Sequence, residues 1–506
     1  MRQSPVRCVD LEASTSNCGS CGHQCAAAGA ACTGGTCSDE VAVLGSFAGP
    51  IQITGGSPTT TCIGGNEAVP EYSLTAGDAD FAVAYNPQAD PQGSEANWAD
   101  AWPSAWGGGC NVPVATAYSI RGDPWTTTSG GTGLFYFSYL LNNPSPPGGN
   151  SIGIAATTPN NLDVCAFTFP ATSINPSVTT SDGPAIYFDP AAANLWVAEY
   201  RIGVGFLLYL LSPCNFGQPG SSGCPIKSGF PVTFATATAG HPNVIVNPCT
   251  GHAIVPYHDN GWDVRIRFYT ATGSAVGSNF LVDALPPGGA NTNCNGSSCA
   301  GVGTICKCTG VNSGDCGSNG CMRMWNRVHA SVKVNGTQCL LALSYESPET
   351  ASDGNLYEKG HWSIVNITNE SAPSLITTRD SSASSFVRNE FEPTVSFNAY
   401  TNGFGFFFYR QANNNPCTTQ FLGYTNVNLG QGAVTYAGPF TPNFPTMRFA
   451  TALGLGDYVE IVRRGLPGGY LFPSWNEPVA LNPGLFCRAC QGVEYSNRAM
   501  AARVTP

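Results

Sequence analysis

The chain has 506 residues, with 60 Gly, 38 Pro and only 10% charged residues, a turn-rich, charge-poor balance that points to an all-β protein and away from a helical cytosolic enzyme. Its net charge of −11 leaves no basic stripe to neutralise phosphates, which excludes nucleic acid as a partner and disfavours an anionic membrane surface. No apolar run reaches the ~18 residues needed to cross a bilayer, so the chain reads as not transmembrane.

At the front, Met1-Arg-Gln-Ser-Pro-Val-Arg7 has no apolar h-region, so a signal peptide is absent from this chain and it reads as a processed form. The 22 cysteines would be an oxidative liability in a reducing cytosol. They point to disulfides and to a secreted or cell-surface protein. Residues 1–38 form a separate unit in which Cys8, Cys18, Cys21, Cys25, Cys32 and Cys37 fall among Gly, Ala and Ser. With so little apolar bulk, about three disulfides must hold this unit together. A structural zinc site is the competing reading of Cys18-x-x-Cys21, but zinc spacing usually takes two such pairs. Residues 39–65 read as a linker plus an early strand, from Val41–Leu44 and Ile51–Ile53.

From 66 to 506 one phrase recurs. A short strand ends in Asn or Asp, a turn follows, and an apolar run closes on an aromatic residue and a polar one. The copies begin at Gly183, His241, His329 and Glu392, pass Asp189, Asn247, Asn335 and Asn398, and close on Tyr200-Arg201, Tyr257-His258, Tyr345-Glu346 and Tyr409-Arg410. Asn86 and Asp457 mark further copies, and Phe135–Leu141 is a degenerate one. A cysteine-rich insertion at 290–322 interrupts the series. Removing it leaves units of roughly 60 residues, enough for four strands each. Continuous apolar runs such as Leu195–Ala198 and Phe404–Phe408 suit strands covered on both faces. The expected fold is therefore an all-β, seven-bladed β-propeller, with six blades as the alternative, behind a small disulfide-rich N-terminal module.

Two resemblances add to this reading. Asn17-Cys-Gly-Ser-Cys-Gly-His-Gln-Cys25, followed by Cys32-Thr-Gly-Gly-Thr-Cys37, resembles the cysteine-rich modules of secreted bacterial surface proteins and the plant stigma-specific family. Gly456-Asp-Tyr458, Gly468-Gly-Tyr-Leu-Phe-Pro-Ser-Trp475-Asn476 and Ala499–Val504 resemble the terminal blade of secreted sialidase-like propellers. That likeness implies a ring of six or seven blades around an axial channel. No Ser-x-Asp-x-Gly-x-x-Trp box is intact, and His258-Asp-Asn-Gly-Trp262 is only a distant echo. No catalytic residue is carried over.

The closing aromatic-polar pairs are the best functional lead, because in a radial repeat they recur at one height. Arg201 and Arg410 would hold a carboxylate or sulfate, Glu346, His258 or Asp259 would serve as acid or base, and Tyr257 as hydrogen-bonding group or nucleophile. Trp475 closes the last unit. The competing reading is that the aromatics pack between blades and the polar residues start loops. Trp98, Trp102 and Trp106 offer indole surfaces for sugar rings, or anchor a loop. Glu390 and Glu392 point the same way if extended, and Arg121-Gly122-Asp123 is a tripeptide that chance supplies easily. Phosphate-loop, paired-His zinc and EF-hand motifs are missing, so no metal site and no cofactor is expected. Asp and backbone oxygens remain compatible with a structural Ca²⁺. Three functions follow: binding of a glycan or surface protein, with the cysteine-rich front as spacer or anchor; a sialidase-like glycoside hydrolase or polysaccharide lyase; or a structural coat or filament subunit.

Overall fold

The apolar runs that close on Asn, Asp or Gly become strands, and the strands group into four-stranded antiparallel sheets. The computed structural model describes residues 32–33, 36–37, 47–52, 67–75, 78–86, 95–100, 110–112, 119–129, 134–144, 147–157, 167–178, 180–212, 224–236, 241–259, 263–284, 327–350, 356–380, 389–398, 403–411, 419–430, 433–440, 447–448, 460–461, 473–480 and 495–504, with side chains over much of 112–429. Of the front module, this includes one short pair, β1 (Cys32–Thr33) and β2 (Thr36–Cys37). The insertion at 290–322 lies outside the described residues.

Next comes β3 (Phe47–Gln52), and then the sheets in chain order. The first is β4 (Glu67–Thr75), β5 (Asp78–Asn86), β6 (Glu95–Asp100) and β7 (Cys110–Asn111). The second is β8 (Ser119–Thr128), β9 (Phe135–Pro144), β10 (Pro147–Thr157) and β11 (Phe167–Ser173). The third is β12 (Ser181–Asp189), β13 (Asn194–Arg201), β14 (Gly205–Leu211) and β15 (Val232–Ala235). The fourth is β16 (Ile245–Val246), β17 (Ala253–His258), β18 (Val264–Tyr269) and β19 (Ala275–Asp283). The fifth is β20 (His329–Asn335), β21 (Gln338–Thr350), β22 (Leu356–Asn366) and β23 (Ser374–Asp380). The sixth is β24 (Asn389–Asn398), β25 (Gly403–Gln411), β26 (Thr419–Gly430) and β27 (Ala433–Phe440), with β28 (Met447–Arg448) on the far part of β26. The last joins β29 (Glu460–Ile461), β30 (Pro473–Ala480) and β31 (Tyr495–Val504) to β3, which pairs with β31 from Phe47↔Val504 to Gln52↔Met500. The early strand of the expected linker is thus the outer strand of the last sheet.

Successive sheets pack face to face. Ala253, Val255 and Tyr257 of β17 enter a core shared with the second and third sheets, whereas Ile254 and the β18 residues Val264, Ile266 and Phe268 enter one shared with the fifth. Leu340 and Ala342 of β21 face a third core with Phe404 and Phe406 of the sixth sheet. Covering both faces removes the need for alternation, and each large side chain so buried contributes roughly 1.5–3 kcal/mol. The first strands also touch in sequence, β4 to β8, β12, β16, β20, β24 and β29, and β29 returns to β4.

Hydrogen bonds stitch these first strands together. Gly183 N donates to Asp123 Oδ2 (3.1 Å) and Phe188 N to Thr127 Oγ1 (3.1 Å), from third sheet to second. Asn243 Nδ2 donates to Val328 O (3.2 Å), and Phe397 N to Ser331 Oγ (2.9 Å). The Arg121-Gly-Asp123 stretch thereby has a structural task, with Gly122 and Asp123 at positive φ in β8. At the opposite end of the fourth and fifth sheets, Cys249 and Cys339 form a disulfide, and Cys224 is also disulfide-bonded. Among the described residues no helix is long and apolar enough to cross a membrane.

Candidate functional site

The repeated phrase takes the same place in four consecutive sheets. Its Asn or Asp closes the first strand in β12, β20 and β24, and follows β16 directly. Asn86 departs from this, because it ends β5, a second strand. The closing pair lies on the second strand, level with the start of the first: Tyr200 is opposite Asp182, Ser344 opposite His329, and Tyr409 opposite Phe391. Trp475 differs, lying near the start of β30 and opposite Met500. Arg410 is opposite Glu390 in β25–β24. Trp98 is in strand β6 opposite Ala82, not on a helix, and Trp102, Trp106 and Asp457 lie outside the described residues.

Arg201 donates to Glu199 Oε1 (2.5 Å) and to the Tyr209 hydroxyl, which donates to the same carboxylate oxygen (2.5 Å). Burial, then the Glu199 charge, pushes the Tyr209 phenol far above its ordinary range. The Arg201 side chain keeps 15% exposure, and Glu199 is buried. The turn beyond carries Ile202 and Val204 at 58% and 45% exposure.

Tyr257 and His258 face opposite sides of the fourth sheet, because successive strand residues alternate, and Asp259 follows in the turn. Tyr257 packs edge-on against Phe206 and Phe234 of the third sheet, and its hydroxyl accepts from Asn279 Nδ2 (2.6 Å). Burial raises its phenol, which removes it as a nucleophile near neutral pH. His258 turns to the fifth sheet and meets Tyr345 edge-on at 6.4 Å. Asp259 pairs with Arg265 Nε, and Arg265 Nη2 reaches Asp263 Oδ2 at 3.0 Å. These three side chains are about a quarter exposed, and they bridge the β17–β18 turn beside the one carrying Ile202.

In the fifth sheet Glu346 is buried in β21 opposite Gly360. Tyr345 donates to Asp283 Oδ2 (2.7 Å) and bonds Ser363 and Thr378 (2.7 and 3.0 Å). Burial and the Asp283 charge raise its phenol well above the usual range. His361 lies parallel to the Tyr345 ring at 5.4 Å, with Nε2 2.7 Å from Ser347 Oγ.

A further group gathers where the first strands begin, and the sequence did not single it out. The Arg327 guanidinium lies 4.2 Å over the Trp125 ring, and His329 stacks on the same indole at 6.4 Å. Residue 327 forms a backbone bridge to His241. Gly183 is at φ +52, and a Cβ there would stand 2.5 Å from the His241 ring. Through these buried side chains the second, third, fourth and fifth sheets meet. One signal was available: Gly183, His241 and His329 are the opening residues of the repeated phrase. Among the described residues no three His, Cys, Asp or Glu are placed to hold a metal ion.

No protein-family model matches the chain, and no curated protein does either. Solved structures give distant likenesses. SapL1 lectin in complex with alpha methyl fucoside is 11% identical, over 76% of this chain and 98% of that one, at a TM-score of 0.37. AofleA from Arthrobotrys oligospora is 11% identical, over 77% and 94%, at 0.42. Trypanosoma rangeli sialidase is 10% identical, over 77% and 58%, at 0.37. At TM-scores below 0.5 the likeness carries no argument about this chain.

Proposed function

We propose that the chain is a seven-bladed β-propeller, secreted or displayed at a cell surface, that binds a glycan on the rim where its first strands begin. Seven sheets in chain order, six of four strands and one of five, first strands touching in sequence back to β4, and completion of the last sheet by β3 support the ring. The Cys249–Cys339 bridge supports an oxidising compartment. The observation that carries the binding reading is the rim of the third and fourth sheets. There Arg201 with the exposed apolar Ile202 and Val204 on the third sheet, and the Asp259–Arg265–Asp263 group on the fourth, are partly exposed at the turns that end β13 and β17. Guanidinium and carboxylate groups offer charge-assisted hydrogen bonds to sugar hydroxyls, and the aliphatic tip offers contact to C–H faces.

Glycosidase chemistry at the pairs the sequence suggested has less support. Tyr257 is a packing residue, Asp259 is held by Arg265, and Arg201 is held by Glu199. A glycan array probed with the full-length chain tests the binding reading, with calorimetry on any hit. Replacing Asp259 by Asn and Arg265 by Gln together removes the Asp259–Arg265 pair, leaves the quarter-exposed Asp263 to solvent, and is expected to weaken binding about tenfold or more. An array without hits rejects the glycan. A hit that this double variant binds unchanged rejects the rim, and selective capture of a surface protein instead would favour the protein-ligand form.

A further inference from the structure

Rim binding leaves the polar group at the base of the β21–β22 hairpin unused. Ser347 Oγ and His361 Nε2 are 2.7 Å apart. The imidazole is oriented by its parallel stack on Tyr345, whose hydroxyl is tied to Asp283, Ser363 and Thr378. Lys359 is directly opposite Ser347 in the ladder, and residues so paired share a face. His258 closes the group from the fourth sheet. Tyr345, Ser347, Lys359, His361 and His258 are all buried, none above 4% exposed. Setting so many polar groups in a hairpin interior costs free energy that aliphatic residues would not, and such breaches of local economy concentrate at functional sites.

A hydroxyl bonded to an imidazole nitrogen, with the imidazole held by a third group, is the arrangement that activates serine. We propose that Ser347 and His361 are a nucleophile and base that cleave an acyl ester. With its proton on Nδ1, His361 accepts the Ser347 proton at Nε2 as Oγ bonds to the ester carbonyl carbon. The C–O bond to the alcohol breaks, and the alcohol leaves with the proton from Nε2. Water then adds to the acyl-serine, giving one proton to His361, and the carboxylic acid departs as Ser347 recovers its proton. Three rungs, Pro348↔Glu358, Glu349↔Tyr357 and Thr350↔Leu356, lie beyond the pair. Ser347 is fully buried, so under this proposal these rungs must part before an ester reaches it.

A fluorophosphonate probe on the full-length chain, followed by peptide mass spectrometry, tests this, together with hydrolysis of p-nitrophenyl acetate. The expected result is one adduct, on Ser347, absent in Ser347→Ala, with labelling and hydrolysis slowed about 100-fold or more in His361→Gln. A wild-type chain that stays unlabelled after prolonged incubation, or is labelled only elsewhere, makes the pair a structural hydrogen bond and overturns the proposal. Labelling the wild type does not depend on whether a variant folds. The probe contains no sugar, so this test and the glycan array fail independently.

Discussion

Lys333 shows how a single position reports on the ring. Its ammonium lies 4.5 Å over the Phe397 ring, and burial lowers its pKa to about 8 from 10.5. The folded state therefore binds the proton less well than the unfolded chain, so this group's penalty is full below pH 8 and fades between about 8 and 10.5. Lys333→Met keeps the stem against Phe397 and removes the charge. It is expected to stabilise the protein at pH 7 by on the order of 1 kcal/mol after solvent screening. The gain should shrink towards zero at pH 10.5 in urea melts of both proteins. A gain independent of pH would place the effect in packing and not in charge. At this scale the packing role weighed for the aromatic half of the closing pairs has contacts to set beside it at Tyr257 and Tyr345. Tyr257 and Tyr345 were read as inter-sheet packing or site groups, and their partners are core rings and fixed hydroxyls. The polar half was not legible, because whether Arg201 meets a ligand or Glu199 depends on a neighbour two residues away and on Tyr209 in the next strand.

Between elements, the turn that closes β22–β23 clamps the fifth sheet to the fourth. Glu370 is buried and accepts from Asn247 Nδ2 (2.7 Å) and Thr250 Oγ1 (2.5 Å), and pairs with His252 Nδ1 (2.5 Å). Asn247 Oδ1 accepts from Cys249 N (3.0 Å), which sets the turn leading to the Cys249–Cys339 bridge. Gly277 of β19, at φ +66, leaves room for this turn; a Cβ there would stand 2.7 Å from Glu370 O. Glu370→Ala strands three polar partners and is expected to cost about 3–5 kcal/mol, with Glu370→Gln costing less. Replacing Cys249 and Cys339 together by Ser should cost about 2–4 kcal/mol. Chemical denaturation of the three variants measures both effects, and a Glu370→Ala midpoint equal to wild type would remove the clamp from the account. Asn247 was visible in the sequence as a turn marker. Its partner was not, since Glu370 is more than a hundred residues away.

For the whole molecule, closure rests on β3. Trimming the chain up to residue 45 should leave the last sheet intact, while trimming to 53 removes the β3 partner of β31 and bares a strand edge. The second truncation is expected to melt at lower temperature and to associate on size-exclusion chromatography; equal melting of the two would show that closure does not depend on β3. The sequence by itself determined the all-β class and a series of multi-stranded units, because composition, turn residues and a recurring phrase are local properties that survive in one dimension. It read an early strand at Ile51–Ile53 but not that strand's place in the last sheet, since a lone short strand carries no mark of the partner waiting at the other end of the chain. Only the tertiary structure decided which polar residues meet. His241 and His329, opening residues of the phrase, gather with Arg327 and Trp125, and Ser347 meets His361 across a hairpin. Strand alternation sends neighbours to opposite faces, and sheet packing then chooses their company, so adjacency in the chain says little about adjacency at a site.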